Sequence, residues 1–342
     1  MKKITFYFLL FLSINSFSQK FYGIVLDRYT KEPIIGASVY FNNTTLGAST
    51  DINGEFSIDK RHNIKTPLVV SYMGYISIQD NNPSANKKLI FYLSKSNNLL
   101  EEAIINTNDG WSRKIKMTEF LKHFLGDTEY GSACEIVNKE DLILRFNKAN
   151  KKLTAEAVVP IIIKNPKLGF LISVQLNNFE VNYSFISKNN KRRVFYNVYY
   201  TSTNFFKSID DSSKTILRRN KTYNGSRLHF MRALSKNKLL KNGYKLNEKS
   251  RYPSQSIYKV PVSLKTYIRV RKLDSLGVMV KFKKKLNIIY KTGEQSIVQS
   301  LVDEFFINSF GNHSPKSKVL FSGDLGNQRM GDTLPLDFFI PK

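Results

Sequence analysis

Gly23-Ile-Val-Leu-Asp27, Thr30-Lys-Glu-Pro33, Ile35-Gly-Ala-Ser-Val-Tyr-Phe41, Thr50-Asp-Ile-Asn-Gly-Glu-Phe56, Leu68-Val-Val-Ser-Tyr-Met-Gly-Tyr75 and Leu89-Ile-Phe-Tyr-Leu93 follow one another near the start of the chain. Short apolar runs alternate here with turn signals at Asn42-Asn43, Asn53-Gly54 and Gly74. Asn-Gly between two short strands signals a hairpin, because both residues tolerate positive φ. Alternation within Ala37-Ser-Val-Tyr-Phe41 places Ala37, Val39 and Phe41 on one face of a strand. Such regular spacing predicts a small β-sandwich.

Upstream, Met1 to Ser18 has the layout of a secretory signal peptide. Lys2 and Lys3 supply the positive start, Ile4 to Leu12 the apolar middle, and Ser16-Phe17-Ser18 the small residues of a cleavage site before Gln19. The apolar run is too short to span a bilayer, and no later segment offers about 20 uninterrupted apolar residues. The expected location is therefore exported, in the periplasm or associated with the outer membrane. Cys134 is the lone cysteine, so no internal disulfide forms. It reads as a buried small hydrophobe at a strand entry, although a lone thiol beside a base can be a nucleophile.

The formal charge is +26. A field of that sign favours anionic partners. The lysines are nevertheless dispersed, with short clusters at Lys191-Arg-Arg193, Arg218-Arg219 and Lys283-Lys-Lys285. No interleaved aromatic and basic platform is visible, so nucleic acid is not expected as a partner.

Beyond the first region, Ser94 to Asp109 is polar around Leu99-Leu-Glu-Glu-Ala-Ile-Ile105. A helix is predicted from Thr118 to its stop at Gly126, with Phe120, Leu121, Phe124 and Leu125 at helical spacing. Strands follow: Leu142–Phe146 and Leu153–Val159 around the turn Lys148–Lys151, then Leu168–Tyr183 and Arg193–Thr203. A helical insertion comes next, Lys214–Tyr223 and Ser226–Asn242 ending at Gly243, with Ser226 as N-cap and Leu228, Met231 and Leu234 on one face. Strands resume at Ser256–Asp274, Val278–Tyr290 and Ser296–Asn308. The expected organisation is a signal peptide (1–18), a sandwich (19–94), a connector (95–116) and a larger β-rich α+β domain (117–342).

Gly23-x-Val25, Asp27, Thr30, Glu32-Pro33, Gly36-Ala-Ser-Val39, Thr50-Asp51, Asn53-Gly54-x-Phe56 and Val70-Ser-Tyr-x-Gly-Tyr75 resemble the carboxypeptidase-regulatory-like domain. That resemblance implies a transthyretin-like seven-stranded sandwich, common in envelope proteins of Bacteroidetes, where it often precedes the plug of TonB-dependent receptors. Leu99 to Ile105 looks like the tail that follows it. The remainder lacks a plug and is too short for the receptor barrel. It looks instead like a β-rich domain of unknown function, on three blocks: Phe124-Leu-Gly-x-Thr128 with Cys134-Glu-Ile-x-Asn138, Tyr223-x-Gly-Ser-x-x-His-Phe-x-Arg-Ala-Leu234, and Gly323-Asp-Leu-Gly with Gly331-Asp-Thr-Leu-Pro335.

A zinc peptidase needs two His and a carboxylate on the metal. His62, His123, His229 and His313 begin neither His-x-x-Glu nor His-Glu-x-x-His, so no metal or other cofactor is expected. Thr50-Asp-Ile-Asn-Gly-Glu55 lacks the ligand ladder of a calcium loop. Gly225-Ser226-x-x-His229 pairs a hydroxyl with a base, but Ser226 at a helix N-terminus reads as a cap, and no Gly-x-Ser-x-Gly elbow exists. Should the chain be an enzyme, Ser226, His229 and Cys134 are the first candidates. Arg227, Arg232, Lys236, Lys238 and Lys241 make the predicted helix from Ser226 basic, a solvated face that can also lie on an anionic membrane surface. Tyr223, Arg232, Asp324, Arg329 and Asp332 form the candidate interaction or structural cluster. The expected function is a non-enzymatic envelope component that binds or assembles with an envelope protein, peptide or glycan, using the sandwich as docking module. The alternatives are a hydrolase with its site in the larger domain and a structural envelope-integrity protein.

Overall fold

A computed structural model describes residues 19–60, 65–96, 110–248, 260–261, 263–273, 277–282, 285–291 and 293–340. The segment read as a signal peptide, His62 and the Leu99–Ile105 segment lie outside them. Of the described residues, those in Met1–Phe41 and Leu46–Ser96 form one compact unit, and those in Asn42–Thr45 and Asn97–Lys342 another. The chain is mainly β.

The first unit holds seven strands: β1 (Gln19–Asp27), β2 (Ser38–Phe41), β3 (Gly47–Ser49), β4 (Glu55–Lys60), β5 (Leu68–Ser71), β6 (Ile78–Asp80) and β7 (Lys88–Leu93). They make two sheets, ordered β4-β1-β7 and β3-β2-β5-β6. Phe21, Val25, Ala37, Val39, Phe41, Phe56, Val70 and Phe91 fill the core between them. The alternation read from Ala37, Val39 and Phe41 is therefore real. The hairpin at Asn53-Gly54 is not: the strands on either side, β3 and β4, pair in different sheets. The turn is built by Asp51, whose Oδ1 accepts the N–H groups of Asn53 (2.9 Å) and Glu55 (2.8 Å). Gly54 alone takes positive φ (72°), against Val25 and Pro33.

The signature residues of this unit are occupied in holding the fold. The Asp27 carboxylate accepts from the N–H groups of Tyr29 and Thr30 and from the Tyr75 hydroxyl at 2.8 Å. Burial, then the bond to Asp27, raise the Tyr75 phenol to about 12. Thr50 Oγ1 accepts from the Ala37 N–H and donates to the Ile34 carbonyl. At Gly23 a Cβ would stand 2.1 Å from the Leu89 carbonyl, so the parallel pairing of β1 with β7 requires glycine there.

In the second unit, α1 (Arg113–Phe124) begins five residues before the predicted start, because Ser112 caps it by accepting from Ile115 N–H. Gly126 stops it at φ 98°. Trp111, in the segment read as connector, is buried and stacks on Phe146 at 3.9 Å. After the short α2 (Glu129–Ser132) come β8 (Glu135–Ile136), β9 (Leu142–Asn147), β10 (Lys152–Ala157), β11 (Ile161–Asn165), β12 (Phe170–Ile186) and β13 (Arg193–Ser208). They form one six-stranded sheet around β12. Along β12 the buried residues are even-numbered from Phe170 to Leu176, then odd-numbered from Phe179 to Tyr183. A bulge between Leu176 and Asn178 causes the switch, since one extra residue turns every later side chain to the other face. Phe120 and Phe124 of α1 pack on that face, 4.8 Å from Phe179 and 5.4 Å from Tyr200.

The helical insertion is α3 (Ser213–Tyr223) and α4 (Arg227–Ser235), followed by a 3-10 turn at Leu240–Asn242. The single helix expected from Ser226 to Asn242 is thus interrupted after Ser235. The basic solvated face expected on it is also absent: Arg232 is buried and Arg227 half-buried, and only the lysines beyond the helix are exposed. Arginine turns inward here because its fork matches free carbonyls.

The last strands are β14 (Tyr244–Glu248), β15 (Val260–Pro261), β16 (Ile268–Leu273), β17 (Gly277–Phe282), β18 (Lys285–Tyr290), β19 (Glu294–Ser300), β20 (Phe305–Ile307), β21 (His313–Ser314) and β22 (Val319–Gly323). Two further helices, α5 (Leu264–Tyr267) and α6 (Asp324–Asn327), are one turn each. The runs predicted as Val278–Tyr290 and Ser296–Asn308 each divide into two strands. β18 and β19 belong to the sheet β15-β14-β18-β19-β22, and β17 and β20 to the sheet β16-β17-β20-β21. The two pairings nonetheless run nearly in register: Leu286 faces Val298, and Val280 faces Phe305, a single-residue shift apart. α4 packs in the core these two sheets enclose, where Phe230, Met231 and Leu234 meet Val280, Leu286 and Ile288.

Candidate functional site

Ser226, the N-cap of α4, accepts the His229 backbone N–H at 3.0 Å through its Oγ. The His229 ring is used elsewhere. Its Nδ1 accepts the Gly225 N–H at 3.1 Å, which assigns the ring proton to Nε2, 3.1 Å from Asn242 Oδ1. Burial pushes the imidazole below its ordinary pKa. Tyr223 and Tyr244 pack on the ring at 5.0 and 5.2 Å. The sequence pair is therefore a capped turn in which hydroxyl and imidazole serve separate bonds. Cys134 stands apart: its thiol donates to the Tyr130 carbonyl, and burial, with Asp332 nearby, raises it to about 12. That is the opposite of nucleophile activation.

The five residues of the predicted cluster fall into two groups. Arg232 donates to the carbonyls of Phe310 (3.0 Å), Phe338 (2.8 Å) and Leu336 (2.9 Å), with its guanidinium over Phe339 and Tyr223 at 4.4 and 5.4 Å. It ties the C-terminal segment to α4. In the second group, Asp332 accepts from Thr128 Oγ1 (2.7 Å) and from the Arg329 N–H (3.2 Å), and the Arg329 side chain donates to the Gly326 carbonyl. Burial raises the Asp332 carboxyl against those bonds. Asp324 is exposed at the start of α6.

The three sequence blocks singled out beyond residue 117 converge at this second group. Gly331 lies against Gly131, where a Cβ would be 2.4 Å from the Gly131 Cα, and its N–H donates to the Leu125 carbonyl at 3.0 Å. Arg227 Nε donates to the Leu325 carbonyl at 2.6 Å, while Gln328 Oε1 accepts the Arg227 N–H at 2.9 Å. Around this junction opens a cleft of about 450 Å³, walled by Asp127 to Tyr130, the C-terminal turn of α3, and residues of the 324–332 segment. Asp127, Glu129, Asp324 and Asp332 line it with Lys221 as the single cation. Glu129 is paired with Lys167 at 3.1 Å. The lining offers acceptors for amines and hydroxyls but contains no histidine or cysteine, so it supplies no nucleophile of the types considered above.

Sequence reading missed two buried polar centres. Glu119 accepts from the Tyr183 hydroxyl (2.7 Å) and pairs with Arg193 (2.9 Å), with His123 at 3.5 Å. Burial alone would raise its pKa, but His123, Tyr183 and Arg193 together outweigh that and hold it at about 2. Arg219 donates to the Leu168, Gly169 and Asp210 carbonyls and pairs with Asp211 at 2.7 Å. The only signal for it was the acidic pair Asp210-Asp211.

On the outer face of the three-stranded sheet, Tyr22, Ile24 and Leu26 of β1 stand beside Lys88, Ile90 and Tyr92 of β7 in register. Ile90 is 54 % and Tyr92 42 % exposed. Residues 21–105 match the CarboxypepD_reg-like domain. The CarboxypepD_reg-like region is also similar to the TonB-dependent receptor SusC of Bacteroides thetaiotaomicron, 43 % identical over 68 residues. That match spans 19 % of this chain and 6 % of the receptor. No solved structure matches the chain significantly.

Proposed function

We propose that this is an exported envelope protein, non-enzymatic, that binds or assembles with another envelope component through its CarboxypepD_reg-like unit. The observation that carries the reading is the apolar row Tyr22, Ile24, Leu26, Ile90 and Tyr92, in which Tyr22, Ile90 and Tyr92 are exposed, Ile24 and Leu26 are half-buried, and the Lys31 ammonium lies 4.5 Å over the Tyr92 ring. Contiguous exposed apolar surface on a soluble unit marks an interaction site far better than scattered single residues do. The signature of this unit is spent on turns and close strand contacts, which leaves recognition to the outward-facing residues. The family match and the likeness to a TonB-dependent receptor support an outer-membrane or periplasmic setting. The engagement of Ser226, His229 and Cys134 in structural bonds weighs against the hydrolase alternative.

The test is crosslinking of intact cells that express the tagged protein, compared with an Ile90→Ser/Tyr92→Ser variant. Loss of a co-purifying envelope component with the variant is expected. Identical partners for both forms, with the variant folded, would remove this face from the function.

A further inference from the structure

The ten residues after α4, Lys236-Asn-Lys-Leu-Leu-Lys-Asn-Gly-Tyr-Lys245, contain four lysines and no carboxylate. Lys236, Lys238, Lys241 and Lys245 are all exposed. Exposed Lys291 joins them, since its N–H donates to the Gly243 carbonyl at 2.8 Å. Among the described residues none of these five enters an ion pair. The acidic residues next to the segment along the strands are Glu248, three residues after Lys245 on β14, and Glu294, across from Tyr290. Leu239 and Tyr244, both buried with Phe230, pin the segment at two points, and Gly243 turns it at φ 83°. Between those pins Leu240 points away from the core and is 64 % exposed.

A lone exposed leucine is ordinary. A leucine held out on a pinned turn that carries four exposed lysines, with Lys291 bonded to the same turn, has a specific complement: a surface that is anionic on top and apolar beneath. We propose that the 236–245 turn, with Lys291, docks the second unit onto an anionic phospholipid surface. The ammonium groups lie among headgroup phosphates while Leu240 enters the acyl boundary. The cations select a negative surface. Leu240 selects lipid over a hydrated polyanion, which offers an apolar side chain nothing. This goes beyond the docking of the first unit, uses other residues and needs no protein partner.

Near an anionic leaflet each lysine is worth about fivefold in partitioning. Vesicle flotation of the mature chain tests the assignment, with phosphatidylglycerol–phosphatidylcholine vesicles against phosphatidylcholine alone. Binding is expected only to the anionic vesicles and should weaken with added salt. A Lys238→Gln/Lys241→Gln/Lys245→Gln variant should lose about a hundredfold, three lysines at the above increment. Leu240→Ser should lose several-fold with all charges intact. The control neutralises the equally exposed Lys148, Lys188 and Lys191. An equal loss from the control, or no anionic binding at all, would overturn the proposal. So would an intact Leu240→Ser beside a failing lysine variant, because the turn would then be a general polyanion surface. All variants change exposed side chains, and an unaltered Trp111 emission verifies their fold.

Discussion

Replacing Glu119 with Gln keeps the shape of the side chain and an acceptor for Tyr183, but removes the charge that Arg193 meets at 2.9 Å. The carboxyl sits at about 2 in the folded protein against an ordinary 4.5. That difference corresponds to about 3 kcal/mol of stability. Because the folded value is depressed, the contribution is complete above the unfolded value and disappears as pH falls from about 4.5 through about 2. E119Q should therefore be about 3 kcal/mol less stable than the parent at pH 7, and the gap should close towards pH 2–3. Trp111 is the single tryptophan. It lies in the same core, with the Arg193 guanidinium 5.7 Å from its ring and Tyr183 at 5.4 Å. Its emission thus reports this unit's transition without interference from the sandwich. For a urea slope of about 2–3 kcal/mol/M, the midpoint at pH 7 should drop by about 1–1.5 M. Other acidic groups titrate alike in both proteins and cancel in the difference. A gap that stays constant from pH 7 to pH 3 would refute the argument, because the stabilisation would then not come from the ionised carboxylate.

Arg232→Met should cost about 3–5 kcal/mol by leaving three carbonyls without their donor, and limited proteolysis should then release the segment beyond Leu334 first. Gly23→Ala should destabilise the sandwich by at least about 2 kcal/mol through the clash with Leu89, read by hydrogen exchange in β1 and β7, with the Trp111 transition unmoved. Cys134, with its thiol held at about 12, should react with a disulfide reagent at pH 8 hundreds of times more slowly than a free thiol, and normally once unfolded.

The sandwich was legible because part of its framework is local. Asp27 and Asp51 each accept backbone N–H groups within four residues, so the turn signals survive in the sequence, whereas the bonds of Thr50 to Ala37 and Ile34 and of Asp27 to Tyr75 reach 13 to 48 residues away. The second unit was less so, for identifiable reasons. The bulge after Leu176 changes the buried parity of β12 in mid-strand. Arg227 and Arg232 have the composition of a solvated helix face but bind carbonyls some 80 to 106 residues away, and composition carries no trace of such partners. Glu119, Tyr183 and Arg193 likewise meet only once α1 has packed on the sheet. Ser226 was readable as a cap for the same local reason as the turns, whereas the fate of the His229 ring depended on Asn242 and Tyr244.

The two chain runs on either side of the 291–293 turn each give one strand to one sheet and one to the other, β18 and β19 to the first and β17 and β20 to the second. A crack that opened between those sheets would pull on two chain segments at once, which couples the melting of one sheet to that of the other. Pulled from its ends, the second unit should yield in one force peak rather than two.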